Sequence, residues 1–196
     1  MQNLFFSILL LCFAGLLAQN GSPTQSQEQM ESFVTLKRNE LSIDVIAALG
    51  IPAFNPRYEY VLGTFSGLGL ELFISFDSEE DFIDYSEFEN FSLTPYYRQY
   101  FFSKEDFGAK GFYAEGFLKF FTFDGIAFDP ILNMDVKDSY FETAIGVGIG
   151  GKWVSQNGFL VDIGLGLGRN LGIDGNPEDF DNDVQLRGGL HFGWRF

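Results

Sequence analysis

The stretch GGLHFGWRF, residues 188–196, alternates without a break. Leu190, Phe192, Trp194 and Phe196 fall on one side of an extended strand, and Gly189, His191, Gly193 and Arg195 on the other. Either a protein core or lipid must cover the apolar side. The rest of the chain decides between them.

The 196-residue chain holds 25 Phe, 8 Tyr, 2 Trp and 23 Gly. Gly disfavours helices and aromatics favour strands, so an all-β domain is expected. Seven further segments alternate like the last one. The eight predicted strands are 40–49, 57–63, 67–76, 91–102, 111–123, 139–154, 159–169 and 184–196, most of them near the 9–11 residues of a tilted membrane strand. Gly, Pro, Asn and Asp separate them, and SQNG at 155–158 signals a tight hairpin. Pro95 interrupts the fourth segment, where a bulge is expected.

The polar faces of these strands carry seven acids (Glu40, Asp44, Glu59, Glu71, Glu115, Glu142, Asp162) and six bases (Arg57, Arg98, Lys119, Lys152, Arg187, Arg195). A solvated face needs no such balance. A face turned into a closed barrel must pair its charges, and near-neutrality is what pairing demands. The same faces hold two glycine rows, Gly146, Gly148 and Gly150, then Gly164, Gly166 and Gly168, which suit a narrow interior. The fifth strand is mixed, with Phe117 and Phe121 beside Glu115 and Lys119. A one-residue slip would put the charges into lipid at about 2–4 kcal/mol each for mid-membrane Arg or Lys, so the register is fixed. The prediction is an eight-stranded antiparallel up-and-down transmembrane β-barrel.

Connections alternate in length. The long ones, 77–90, 124–138 and 170–183, share one end with the turn at 50–56. The short ones, 64–66, 103–110 and 155–158, lie at the other, as in an outer-membrane barrel. The three long loops together carry a charge of −15, equal to the formal net charge of the chain. Charge runs of this kind serve first to keep a rim solvated. Cation bridging to lipopolysaccharide is a sharper alternative, but DFDND at 179–183 lacks the spacing of a calcium loop. Aromatics near strand ends form two belts, with Trp153, Phe159, Trp194 and Phe196 at the short-turn end and Tyr58, Phe76, Phe91 and Phe141 at the other.

Residues 1–18 read as a signal peptide, apolar from Leu4 to Leu17 with cleavage after Ala18; 19–33 form a flexible polar leader, and 34–196 the barrel. The one cysteine, Cys12, lies in the signal, so the mature chain has neither disulfide nor thiolate chemistry.

RGGLHFGWRF at 187–196 resembles the closing strand of bacterial outer-membrane barrels. The segments 144–171 and 91–102 resemble small outer-membrane proteins of the Bacteroidota type, with OmpA/OmpX-like architecture. The resemblance implies location in the cell outer membrane, reading of Phe196 by the barrel-assembly machinery, and lipid and lipopolysaccharide as surroundings. It brings over no catalytic, cofactor-binding or metal-binding residue.

The expected function is non-enzymatic: a monomeric barrel with acidic outer loops and a structural or surface-interaction role. Its acidity excludes nucleic acid. A small outer-membrane enzyme is one alternative, but His191 is the only histidine and its parity turns it inward among Arg187, Arg195 and glycines, as a satisfied interior residue. A narrow pore or carrier for small apolar molecules is another. A lipocalin-like soluble barrel would turn the apolar face inward instead, against the parity of the charges.

Overall fold

The computed structural model describes residues 28, 32, 36–50, 53–76, 89–101, 108–129, 134–172 and 184–196, with side chains at 50, 124–129 and 134–138 left aside. The expected signal peptide lies outside the described residues, as does the leader apart from Glu28 and Ser32. The elements are β1 (Asn39–Asp44), α1 (Val45–Gly50), β2 (Ala53–Phe54), β3 (Pro56–Gly63), β4 (Ser66–Ser75), β5 (Glu89–Phe101), β6 (Gly111–Asp129), β7 (Met134–Val154), β8 (Phe159–Asn170) and β9 (Val184–Arg195).

β1 and β3–β9 pair antiparallel in sequence order, and β9 returns to β1, closing an eight-stranded barrel; the two-residue β2 adds only to β4. Closure leaves no open sheet edge within the barrel wall. Registered pairs lead from Glu40 through Glu59, Gly69, Tyr96, Phe117, Gly146 and Gly168 to Gln185. Extending the β9–β1 register from there reaches position 50, ten residues beyond the start. With a rise of about 3.3 Å and a strand spacing of about 4.8 Å, that shear tilts the strands by about 40° and sets a radius of about 8 Å. So narrow a barrel fills with side chains.

Within the wall strands alternation sets the two faces as expected. Leu68, Leu70, Ile145, Val147, Ile149, Ile163, Leu165 and Leu167 are exposed on the outer wall, while the thirteen charges point inward. The short connections share one end. Gly108 and Ala109 donate from their backbone N–H groups to the Thr64 carbonyl, and Arg195 N–H donates to the Gly158 carbonyl. Asn39 and Phe196 exchange two backbone hydrogen bonds at this same end. The SQNG hairpin forms, with Gly158 at φ +96°, a conformation few residues other than glycine adopt.

Three expectations are corrected. The first strand does not run to Leu49 but ends at Asp44, where the chain turns into α1. The Asp44 carboxylate accepts from Ile46 N–H at 2.9 Å and from Ala47 N–H at 3.4 Å, a helix cap that removes those donors from any ladder. No bulge forms at Pro95: Leu93 pairs with Phe120 and Tyr96 with Phe117 in one register, and only the pairs at 94 and 95 are missing. Lacking an N–H, Pro95 withholds a donor without shifting the strand, and its pairing to Leu70 on β4 persists. The register shifts fall instead at Val61/Gly63 and Glu89/Phe91. Third, most of 124–138 is not loop. β6 and β7 stay paired as far as Asp129–Met134, past the last β5 and β8 partners at Phe123 and Ala144. The rest of the other two long loops, 77–88 and 173–183, lies outside the described residues.

Candidate functional site: the charged lumen

All eight wall strands contribute one or two of the inward charges, so the lumen is assembled by closure itself. At the short-turn end Lys152 donates to Glu40 Oε2 at 2.7 Å and to Glu59 Oε1 at 2.8 Å. Arg195 Nε donates to Glu40 Oε1 at 2.6 Å, and its two terminal nitrogens donate to the Gly108 and Ala109 carbonyls. The segment 108–110 thereby folds into the mouth, where Ala109 packs with Val61, Tyr100 and Tyr113 in an apolar seal.

Arg98 occupies the middle. It reaches Glu59 Oε2 at 2.9 Å, Glu115 Oε2 at 2.8 Å and Asp162 Oδ2 at 2.5 Å, from strands β3, β6 and β8. Its Nη2 donates to Tyr113 Oη at 3.0 Å, and that hydroxyl donates to Asp162 Oδ1 at 2.7 Å. One guanidinium on β5 therefore ties together three of the other seven strands of the wall, β3, β6 and β8. Above it Glu71 Oε2 accepts from Arg57 Nε at 2.8 Å and from Arg187 Nη2 at 2.6 Å, while Arg187 also pairs with Glu115. Lys119 pairs with Glu89 nearer the long-connection end.

Three tyrosines were not singled out in the sequence. Tyr96, Tyr100 and Tyr113 share the parity of Arg98 and Glu115, and that parity was the available signal. Tyr100 donates to Glu59 Oε1 at 2.6 Å. The Tyr96 ring lies within cation–π range of Arg57, Arg98 and Arg187, at 5.5, 4.7 and 5.3 Å. The glycine rows explain how so much volume fits. Gly146, Gly148 and Gly150 pair directly with Gly168, Gly166 and Gly164, making a bare patch on the inner wall. The Tyr113 ring lies over Gly150 and Gly164, and the Phe117 ring over Gly146, Gly166 and Gly168. The two rings, with the Glu115 side chain over Gly148, fill the space at these positions.

His191 points inward as expected, but its company differs. It faces Asp44 and Asp162 in register, and Glu71 Oε2 lies 4.0 Å from its Nε2. Neither ring nitrogen has a hydrogen-bond partner among the described residues, so it is not the satisfied histidine anticipated. Among the described residues no hydroxyl bonds to it, so His191 has no nucleophile to activate there. Among the described residues no cluster of three or more His, Cys, Asp or Glu is arranged to hold a metal ion. What the arrangement can do is fill and brace the barrel. Arg98, Tyr96, Tyr113 and Lys152 are all fully enclosed, so the centre is a plug.

No protein-family model matches the chain, and no curated protein matches it in sequence. Among solved structures it is similar to the N-terminal β-barrel domain of OprF from Pseudomonas aeruginosa, with 15% identity and a TM-score of 0.46 over 82% of this chain and 96% of that one.

Proposed function

We propose that the chain is a small integral outer-membrane barrel of the Bacteroidota type, with a structural or surface-interaction role and neither catalytic nor conducting activity. One observation carries this reading: twelve of the thirteen strand charges are buried residues, the thirteenth, Arg187, has a side chain only 7% exposed, and the wall outside them is apolar. In water the opposite arrangement would be cheaper, because each buried charge costs several kcal/mol of desolvation before pairing. The outward aromatics support two interfaces, with Trp153, Phe159, Trp194 and Phe196 exposed at the short-turn end and Phe76, Phe91 and Phe141 at the other.

In this reading residues 1–18 direct export, 19–33 form a leader, and the acidic connections 77–90, 124–138 and 170–183 face the cell exterior as a solvated rim. The outward series Phe192, Trp194, Phe196 is the segment the assembly machinery recognises, and the barrel works as a monomer. Fractionation of expressing cells tests the proposal. The protein should stay with the outer membrane, need detergent for extraction, and run at a heat-dependent position on gels. Recovery as a soluble periplasmic monomer would sink it.

A further inference from the structure

The outer wall carries a furrow that follows the hydrogen-bonding direction across the strands. Its floor is the backbone of Tyr96, Phe117, Gly146 and Gly168, residues whose side chains point inward or are absent. One flank is the outward row through Gly116, Val147 and Leu167, and the other the row through Leu118, Ile145 and Arg169. Running from β4 to β9, it crosses five strand spacings, about 24 Å. At the tilt given above it climbs about 15 Å along the barrel axis. That is the depth of one leaflet, half of a hydrocarbon core about 30 Å thick.

The furrow is apolar until its upper end, where Arg169 stands on the exposed face beside Val184. Among the strand residues whose side chains are described, Arg169 is the one charged side chain pointing outward, in a chain whose formal net charge is −15. Basic residues on a lipid-facing wall are costly at mid-depth and nearly free at the interface. Arg169 sits at the long-connection end, one residue before β8 ends at Asn170.

We propose that the furrow binds a phosphorylated lipid of the outer leaflet, one acyl chain lying along the floor and the phosphate held by Arg169. Arginine suits this task because its planar fork presents paired donors to phosphate oxygens. The inference rests on the membrane reading above, and the experiment separates the two. The full chain is refolded into phosphatidylcholine vesicles containing a small fraction of diphosphoryl lipid A, extracted in mild detergent, and weighed by native mass spectrometry. Wild type should retain about one lipid A per barrel. Arg169→Gln should lower retention about tenfold, and so should Gly116→Phe, which fills the furrow at a position where an added Cβ meets nothing within 4 Å. Gly151→Phe, equally open but outside the furrow, should retain lipid as wild type does. Equal retention in all four inserted, heat-modifiable proteins overturns the site while leaving the barrel in the membrane. Failure of the wild type to insert at all overturns the membrane reading as well.

Discussion

Tyr113 and Gly150 are register partners on β6 and β7, and the tyrosine ring occupies the space that a side chain at Gly150 would need. The absent Cβ lets the ring lie along the inner wall, which leaves the axis of the barrel to Arg98. Bulk on one strand is matched by its absence on the next. The same holds for Phe117 over Gly146 and for Tyr96 over Gly69.

Gly150→Ala should therefore destabilise the barrel by about 1–3 kcal/mol, the usual cost of overpacking a filled interior. Gly151→Ala, one residue on and facing outward with nothing within 4 Å, should be nearly neutral. The urea midpoints of the two variants, refolded in the same detergent, check this. Equal midpoints would mean that Tyr113 can leave its seat freely.

Arg98→Met should cost more. It strips a buried cation from Glu59, Glu115 and Asp162 together. Glu59 keeps Lys152 and Glu115 keeps Arg187, but Asp162 is left with Tyr113 and a more distant Arg57 at 3.6 Å. Breaking one partner of a buried pair typically costs about 3–5 kcal/mol. Adding Asp162→Asn should restore part of the loss, because the carboxylate left without its main partner is then gone. A double-mutant cycle measures the coupling, and additive losses would show that Arg98 and Asp162 act independently.

The inward charge set was legible because a period of two forces it: once Leu68 and Leu70 face out, Gly69 and Glu71 face in. The seating of rings on glycines was less so. The rows Gly146–Gly150 and Gly164–Gly168 are plain in the sequence, but which ring covers them depends on the β6–β7 and β7–β8 registers, a long-range property. The end of β1 was hidden for a different reason. Val45 and Ala47 continue the apolar alternation of Leu41 and Ile43, so nothing in the pattern announces a helix. The signal lay in Asp44, a good capping residue that parity had assigned only to the lumen charge count. The hairpin beyond Phe123 was missed because Gly125, Pro130 and Asn133 read as loop chemistry, whereas β6–β7 pairing overrides the glycine.

The protein should not conduct. Between the apolar seal around Ala109 and the Glu71–Arg187 pair, Arg98, Tyr113 and Lys152 are all enclosed and bonded to partners on other strands. Ions would have to break several charge-assisted hydrogen bonds to pass. Planar-bilayer recordings of the refolded chain should show no steady current. A stable conductance would reveal a path past Arg98, and the pore reading would then take precedence.

Asp44 joins three segments, and its replacement should separate capping from charge. Besides Ile46 and Ala47 N–H, its Oδ1 accepts from Leu190 N–H on β9 at 3.2 Å, while Asp44 N–H donates to the Asn55 carbonyl at 3.1 Å. The side chain thus holds α1 against the strand that closes the barrel. Asp44→Ala removes an acceptor from three backbone donors, two of which α1 cannot satisfy within itself. Loss of the cap alone is worth about 1 kcal/mol, and the partly buried Leu190 donor left unpaired adds about 1 kcal/mol. Asp44→Asn keeps an oxygen in place and removes only the charge, so it should retain most of that stability. Amide hydrogen exchange at Ile46, Ala47 and Leu190 distinguishes the roles. It should accelerate together in the alanine variant and stay near the wild-type rate in the asparagine variant. If both variants exchange alike, the charge of Asp44 holds α1 and the cap does not.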